Sequence, residues 1–199
     1  MRALVTYGTR IAFAVLCTSA VAASAHAALI LPPGSTWEYT FTDPGPAFNT
    51  GAGGPYATGA APFGNCASGC GDFFPNTFWG ADGSDGYDLW VRTTFDTTGF
   101  VLPSITWNLG VDNGFALYVN GVLVQAANAE GFTSRWEYGG SLAPYVTSGT
   151  NWAAVALEDH GGLTAFDMQI EGSTVPEPGT MLLLGSGLLG LASRRRRAR

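Results

Sequence analysis

The chain has 199 residues, with nine arginines, no lysine and fifteen acidic residues. Seven arginines lie in the first ten or last six residues, so residues 29–174 hold fourteen acids against two arginines, a net −12. That balance excludes a basic nucleic-acid footprint in the body; the missing lysine excludes a lysine base or Schiff base; and 28 glycines with 11 prolines exclude a mostly helical fold.

Residues 1–10 carry two arginines and no acid, and residues 11–21 form a mainly apolar run. Ala25 and Ala27 flank His26 in a small-x-small pattern, which places a signal-peptidase cut after Ala27. The apolar run is too short for an ordinary membrane span. This order of regions is that of a secretion signal, and it makes the secretion machinery the first partner. Cys17 falls inside the signal, and Leu16 before it is too bulky for a lipoprotein cysteine.

The expected body covers residues 28–174 and reads as all-β. Residues 36–42 alternate strictly, with Trp37, Tyr39 and Phe41 on one face. Residues 43–86 hold eleven glycines, five prolines and seven aromatics, which predicts a long loop packed on the rest of the domain. Within it, Cys66 and Cys70 are the two cysteines left after signal removal, and outside the cytoplasm such a pair is expected to oxidise. Asp82, Asp85 and Asp88 are spaced by turn-forming glycines, so they are the candidate ligands for calcium, a hard cation served by oxygen donors. The spacing is not that of an EF-hand, and a plain turn explains it as well. No other cofactor is expected.

Residues 87–95 alternate again: Tyr87, Leu89, Val91 and Phe95 on one side, with Trp90 and Arg92 on the other. Trp90 therefore stands opposite the apolar set and is the candidate glycan-stacking residue. Ile105, Trp107, Leu109 and Val111 form the next alternating set. Asn113-Gly114 and Asn120-Gly121 are both tight-turn signals, which together predict a three-strand meander across residues 105–125. Strands are also expected at 152–157 and 166–170, with a weaker one at 136–138. His160 beside Asp159 lacks a nucleophile signature and reads as a surface-loop histidine.

The hairpin Val111-Asp-Asn-Gly-Phe-Ala-Leu-Tyr-Val-Asn-Gly121 resembles that of galactose-binding-like jelly rolls, and Asn151-Trp-Ala-Ala-Val-Ala-Leu157 is similar to a late strand of the same folds. The resemblance implies a jelly-roll β-sandwich and leaves the ligand open.

The last segment, 175–199, has three parts. Val175, Pro176, Glu177 and Pro178 come first; the two prolines hold the backbone extended. An apolar Leu/Gly run follows, short for a full bilayer crossing, with Gly185, Gly187 and Gly190 allowing close helix contacts. Arg194, Arg195, Arg196 and Arg197 then orient it with the arginines in the cytoplasm and the body outside. This tail closely resembles the PEP-CTERM sorting signal of Gram-negative bacteria. The resemblance implies a membrane-anchored precursor held transiently in the inner membrane, recognition of Val175 to Pro178 by an exosortase, and removal of the tail. It further implies a destination at the cell surface or in the medium of bacteria that make extracellular polysaccharide. The expected function is thus a non-enzymatic exported surface or matrix protein that binds polysaccharide weakly. The alternatives are a secreted carbohydrate-active hydrolase, for which the spacing of paired carboxylates would decide, and a calcium-stabilised adhesive module.

Overall fold

The computed structural model describes residues 26–65, 75–80, 83, 86–128, 135–175, 185 and 187. Among the described residues eleven strands follow in order: β1 (Ala27–Leu31), β2 (Thr36–Thr40), β3 (Ala57–Ala60), β4 (Phe63–Gly64), β5 (Tyr87–Asp96), β6 (Thr106–Asp112), β7 (Gly114–Val119), β8 (Val122–Ala127), β9 (Tyr138–Ser141), β10 (Thr150–Glu158) and β11 (Ala165–Ser173). They form two antiparallel sheets. One runs β1-β11-β6-β9, with β4 also on β11; the other runs β3-β2-β5-β10-β7-β8. The body is a β-sandwich, as its sequence pattern predicts.

Period-two alternation explains the core. Leu89, Val91 and Phe95 of β5, Leu117 and Val119 of β7, and Val155 and Leu157 of β10 point inward from the six-stranded sheet. Trp107, Leu109 and Val111 of β6 meet them with Phe166, Met168 and Ile170 of β11. Trp37 packs edge-on against Phe166 at 5.4 Å, one of the aromatic contacts joining the two layers. Each such side chain, fully withdrawn from water, contributes about 1.5–3 kcal/mol of transfer free energy.

Two turn signals that look alike in sequence do different work. Asn120-Gly121 closes the β7–β8 hairpin with φ of 51° and 81°, the left-handed pair a two-residue turn needs. The Asn120 amide donates to the carbonyl of Tyr145 and to Asn151 Oδ1, and its own oxygen accepts the Trp152 N–H. Asn151, fully buried, continues this network to Thr97, Thr147 and Gly149. Asn113-Gly114, by contrast, is no hairpin. β6 and β7 belong to different sheets, so the expected meander breaks there. The Asn113 N–H donates to the Glu158 carbonyl and its side chain accepts the His160 N–H, which turns the chain from one layer to the other.

The described part of the expected loop at 43–86 contains β3 and β4, whose Ala, Thr and Gly residues carry little strand signal. A single 3₁₀ turn, Pro46–Thr50, lies between them and β2. Phe41 lies beyond the end of β2 and is exposed, so the inward set on that strand stops at Tyr39. In the C-terminal segment Gly185 and Gly187 are helical and exposed. Among the described residues no helix is long and apolar enough to cross a membrane.

Candidate functional site

The outer face of the six-stranded sheet carries a groove of about 350 Å³. Its floor follows from register. On the central strand β10, Ala156 pairs with Trp90 on one side and Ala116 on the other, while Ala154 pairs with Arg92 and Tyr118. Small alanines on the middle strand leave a channel between the aromatics of the flanking strands. Trp90 forms one wall with Tyr87, and Tyr118 the other. The segment 43–49 supplies the rim, with Asp43 and Asn49 as its polar side chains and Gly45 and Pro46 as backbone; Gly121 of the hairpin closes one edge. Asp43 is held by accepting the Gly45 N–H at 2.8 Å.

One buried cation fixes that rim. Arg92, 3% exposed, donates through Nε to Glu38 at 2.6 Å. Its Nη1 reaches the carbonyls of Phe48 and Ala52, and its Nη2 that of Gly53. The guanidinium lies 4.7 Å from the rings of Phe48 and Tyr56 and 5.1 Å from that of Trp152. Gly51, at φ +83°, crosses directly over Trp152, where a Cβ would come within 2.2 Å of the indole. Only glycine fits both demands.

Trp90, the candidate stacking residue, lines this groove together with Tyr87 and Tyr118. Trp79 and Trp107 are core residues, Tyr138 packs on Phe115 at 4.8 Å, and Trp136 lies under the Arg135 guanidinium. Tyr87 corrects the alternation: the register shifts between Leu157 and Glu158, and Tyr87 is 40% exposed on the groove instead of inward with Leu89. Tyr118 was legible as the outward residue between Leu117 and Val119. Asp43 and Asn49 carried no sequence signal. The Tyr87 hydroxyl has its pKa raised by burial first, then by Tyr118 and the Glu158 charge.

Beyond Tyr87, one end of the sandwich gathers acidic groups. Glu158 Oε1 accepts the Gly86 N–H and lies 3.2 Å from His160 Nε2. His160 is thus largely covered, not the surface residue its loop position predicts. Asp159 is fully buried, and Asp88 accepts its N–H at 2.8 Å. Asp112, 5% exposed, has its pKa raised to about 6 by burial, then by the charges of Asp159 and Glu137, with His160 opposing.

Of the expected calcium ligands, Asp88 serves this loop through its carboxylate, and Asp82 and Asp85 lie outside the described residues. Among the described residues no group of three His, Cys, Asp or Glu side chains is placed to hold a metal ion. Cys66 and Cys70, Ala25, Pro176, Glu177, Pro178 and Arg194 to Arg197 also lie outside the described residues. Ala27 opens β1 opposite Ser173, and Val175 donates its N–H to the Gly99 carbonyl.

Part of Ruminococcus gnavus β-glucuronidase, in a complex with uronic isofagomine, has a similar fold: TM-score 0.50 at 10% identity, over 74% of this chain and 28% of that one. β-Glucuronidases of Lactobacillus rhamnosus (TM-score 0.47, 14% identity, 76% of this chain and 29% of that one) and of an uncultured Clostridium sp. (0.48, 11%, 79% and 30%) are also similar. The chain therefore spans less than a third of the length of these enzymes, and at such identities the likeness is one of fold. No curated protein matches it in sequence. Residues 174–197 match the PEP-CTERM protein-sorting motif. That match has the order of parts read from the sequence: Val-Pro-Glu-Pro, an apolar run and an arginine cluster. The chain thus carries a PEP-CTERM sorting motif at residues 174–197 and a β-sandwich body.

Proposed function

We propose that this exported exosortase substrate is a non-enzymatic surface or matrix protein whose body binds polysaccharide through the groove on its six-stranded sheet. The sorting motif carries the export half of the reading. The groove carries the binding half: Trp90, Tyr87 and Tyr118 present aromatic surface beside the amide of Asn49 and the carboxylate of Asp43. Aromatic faces receive the apolar faces of pyranose rings, and a few placed polar groups then fix orientation. A volume of about 350 Å³ is at the small end of ligand sites, which suits one short stretch of a glycan and weak affinity per site. Among the described residues that line the groove the one carboxylate is Asp43, where hydrolysis of a glycosidic bond uses a facing pair. Retention of the exported protein on polysaccharide from its own host tests the reading. Trp90→Ala should weaken retention about tenfold, the scale of losing a central aromatic anchor. Equal retention of Trp90→Ala and the parent would refute it.

A further inference from the structure

We propose that the groove selects uncharged glycans and turns away uronic and other anionic ones, an inference that rests on the groove being the glycan site. Residues 29–174 contain two arginines and no lysine. Both arginines are committed. Arg92 lies beneath the rim, and all three of its nitrogens donate to Glu38 or to loop carbonyls. Arg135 is ion-paired with the fully buried Asp167. Asp167 alternates with the core residues Phe166 and Met168, so that pair belongs to the outer side of the opposite sheet. His160, the histidine of the body, is turned to Glu158.

No cation is left to meet a carboxylate in the groove, and recognition of a carboxylated ligand normally uses a bidentate arginine or a lysine. The charges that do border it are negative: Asp43 on the rim and Glu158 behind Tyr87. Asp43 lines the groove together with Tyr87 and Trp90, and repulsion at separations below a Debye length, about 8 Å at physiological salt, is screened only in part. The hydroxyls of a neutral sugar meet no such penalty, and Asp43 and Asn49 can accept from or donate to them.

The test uses the exported protein against a neutral panel (laminarin, dextran, galactomannan) and an anionic panel (alginate, polygalacturonate, hyaluronan), at low and high salt. The best neutral glycan should bind at least tenfold more tightly than any anionic one at low salt, and the gap should narrow as salt rises. Asp43→Asn keeps the hydrogen bond to Gly45 but removes the charge, so it should shrink the neutral-to-anionic ratio severalfold. Comparable binding of both panels by the parent protein would overturn the selectivity while leaving glycan binding intact. An unchanged ratio in Asp43→Asn would overturn the role of the rim carboxylate, and failure to bind either panel would overturn the site itself.

Discussion

Asp112 closes β6 opposite Ala165 and is 5% exposed, with a pKa raised to about 6 chiefly by burial. Asp159 and Glu137 add to the shift, while His160 opposes it. A carboxyl whose pKa is higher in the fold than in the unfolded chain keeps its proton where the unfolded chain has lost it. The fold is therefore favoured at the acid end of that window, and the contribution is lost as the pH rises through about 6. Asp167 shifts in the same direction, again chiefly by burial, with Arg135 opposing. Stability should thus increase as the pH falls from 7 toward 5. Asp112→Asn should flatten that dependence and raise Tm at pH 7 by about 2–4 °C, the equivalent of ~1 kcal/mol for a domain of this size. Thermal melts of both proteins across the range check this; parallel curves would show that Asp112 is ionised in the fold as it is in the unfolded chain. None of this is visible in Asp112-Asn113-Gly114 as sequence, which reads as a solvated turn. The charges that add to the shift, those of Asp159 and Glu137, are brought in from distant parts of the chain.

At the scale of elements, the segment from Pro46 to Tyr56 is held to the sheet largely by Arg92. Alternation in β5 makes Arg92 outward and would ordinarily mean exposed. What the pattern cannot reveal is that three loop carbonyls and three rings converge on it from residues 48–56 and 152. That convergence depends on Gly51 at positive φ over Trp152, a tertiary fit with no local signature. The same limit separates Trp90, correctly read as outward because its neighbours pair in regular register, from Tyr87, which follows the register shift at Glu158. It also separates Asn120-Gly121 from Asn113-Gly114: the dipeptide specifies a sharp turn, but the partner strand decides whether the turn makes a hairpin or a crossing between sheets. Arg92→Ala should cost about 3–5 kcal/mol, because it removes a buried charge-assisted cluster and leaves loop carbonyls unpaired. Arg92→Lys should recover less than half of that, since an ammonium cannot reproduce the planar fork or lie flat among the rings. Denaturant titration gives both numbers. Full recovery by lysine would mean that charge alone fastens the segment.

Charge is unevenly spread over the whole chain: residues 29–174 are strongly acidic, and the arginines crowd into the two ends. The fold also marks where those ends can be removed. β1 pairs Ala28, Leu29 and Leu31 with β11, so a cut after Ala27 sacrifices one ladder position, Ala27 opposite Ser173, and keeps the strand. At the other end, Thr174 bridges to Phe100 and the Val175 N–H donates to Gly99. Pro176 has no N–H to donate in the same way. Processing beyond Val175 should therefore leave the sandwich as stable as before, and processing should depend on the prolines that hold the motif extended. Replacing Pro176 and Pro178 together by alanine should leave the tail attached and the protein in the membrane fraction. The parent protein should appear outside the inner membrane, lacking both residues 1–27 and the arginine cluster. Intact-mass measurement of each exported or retained form, beside its melting temperature, decides the matter. A tail removed as readily from the alanine variant would show that the apolar run and the arginines alone are read, and that the Pro-Glu-Pro element has another role.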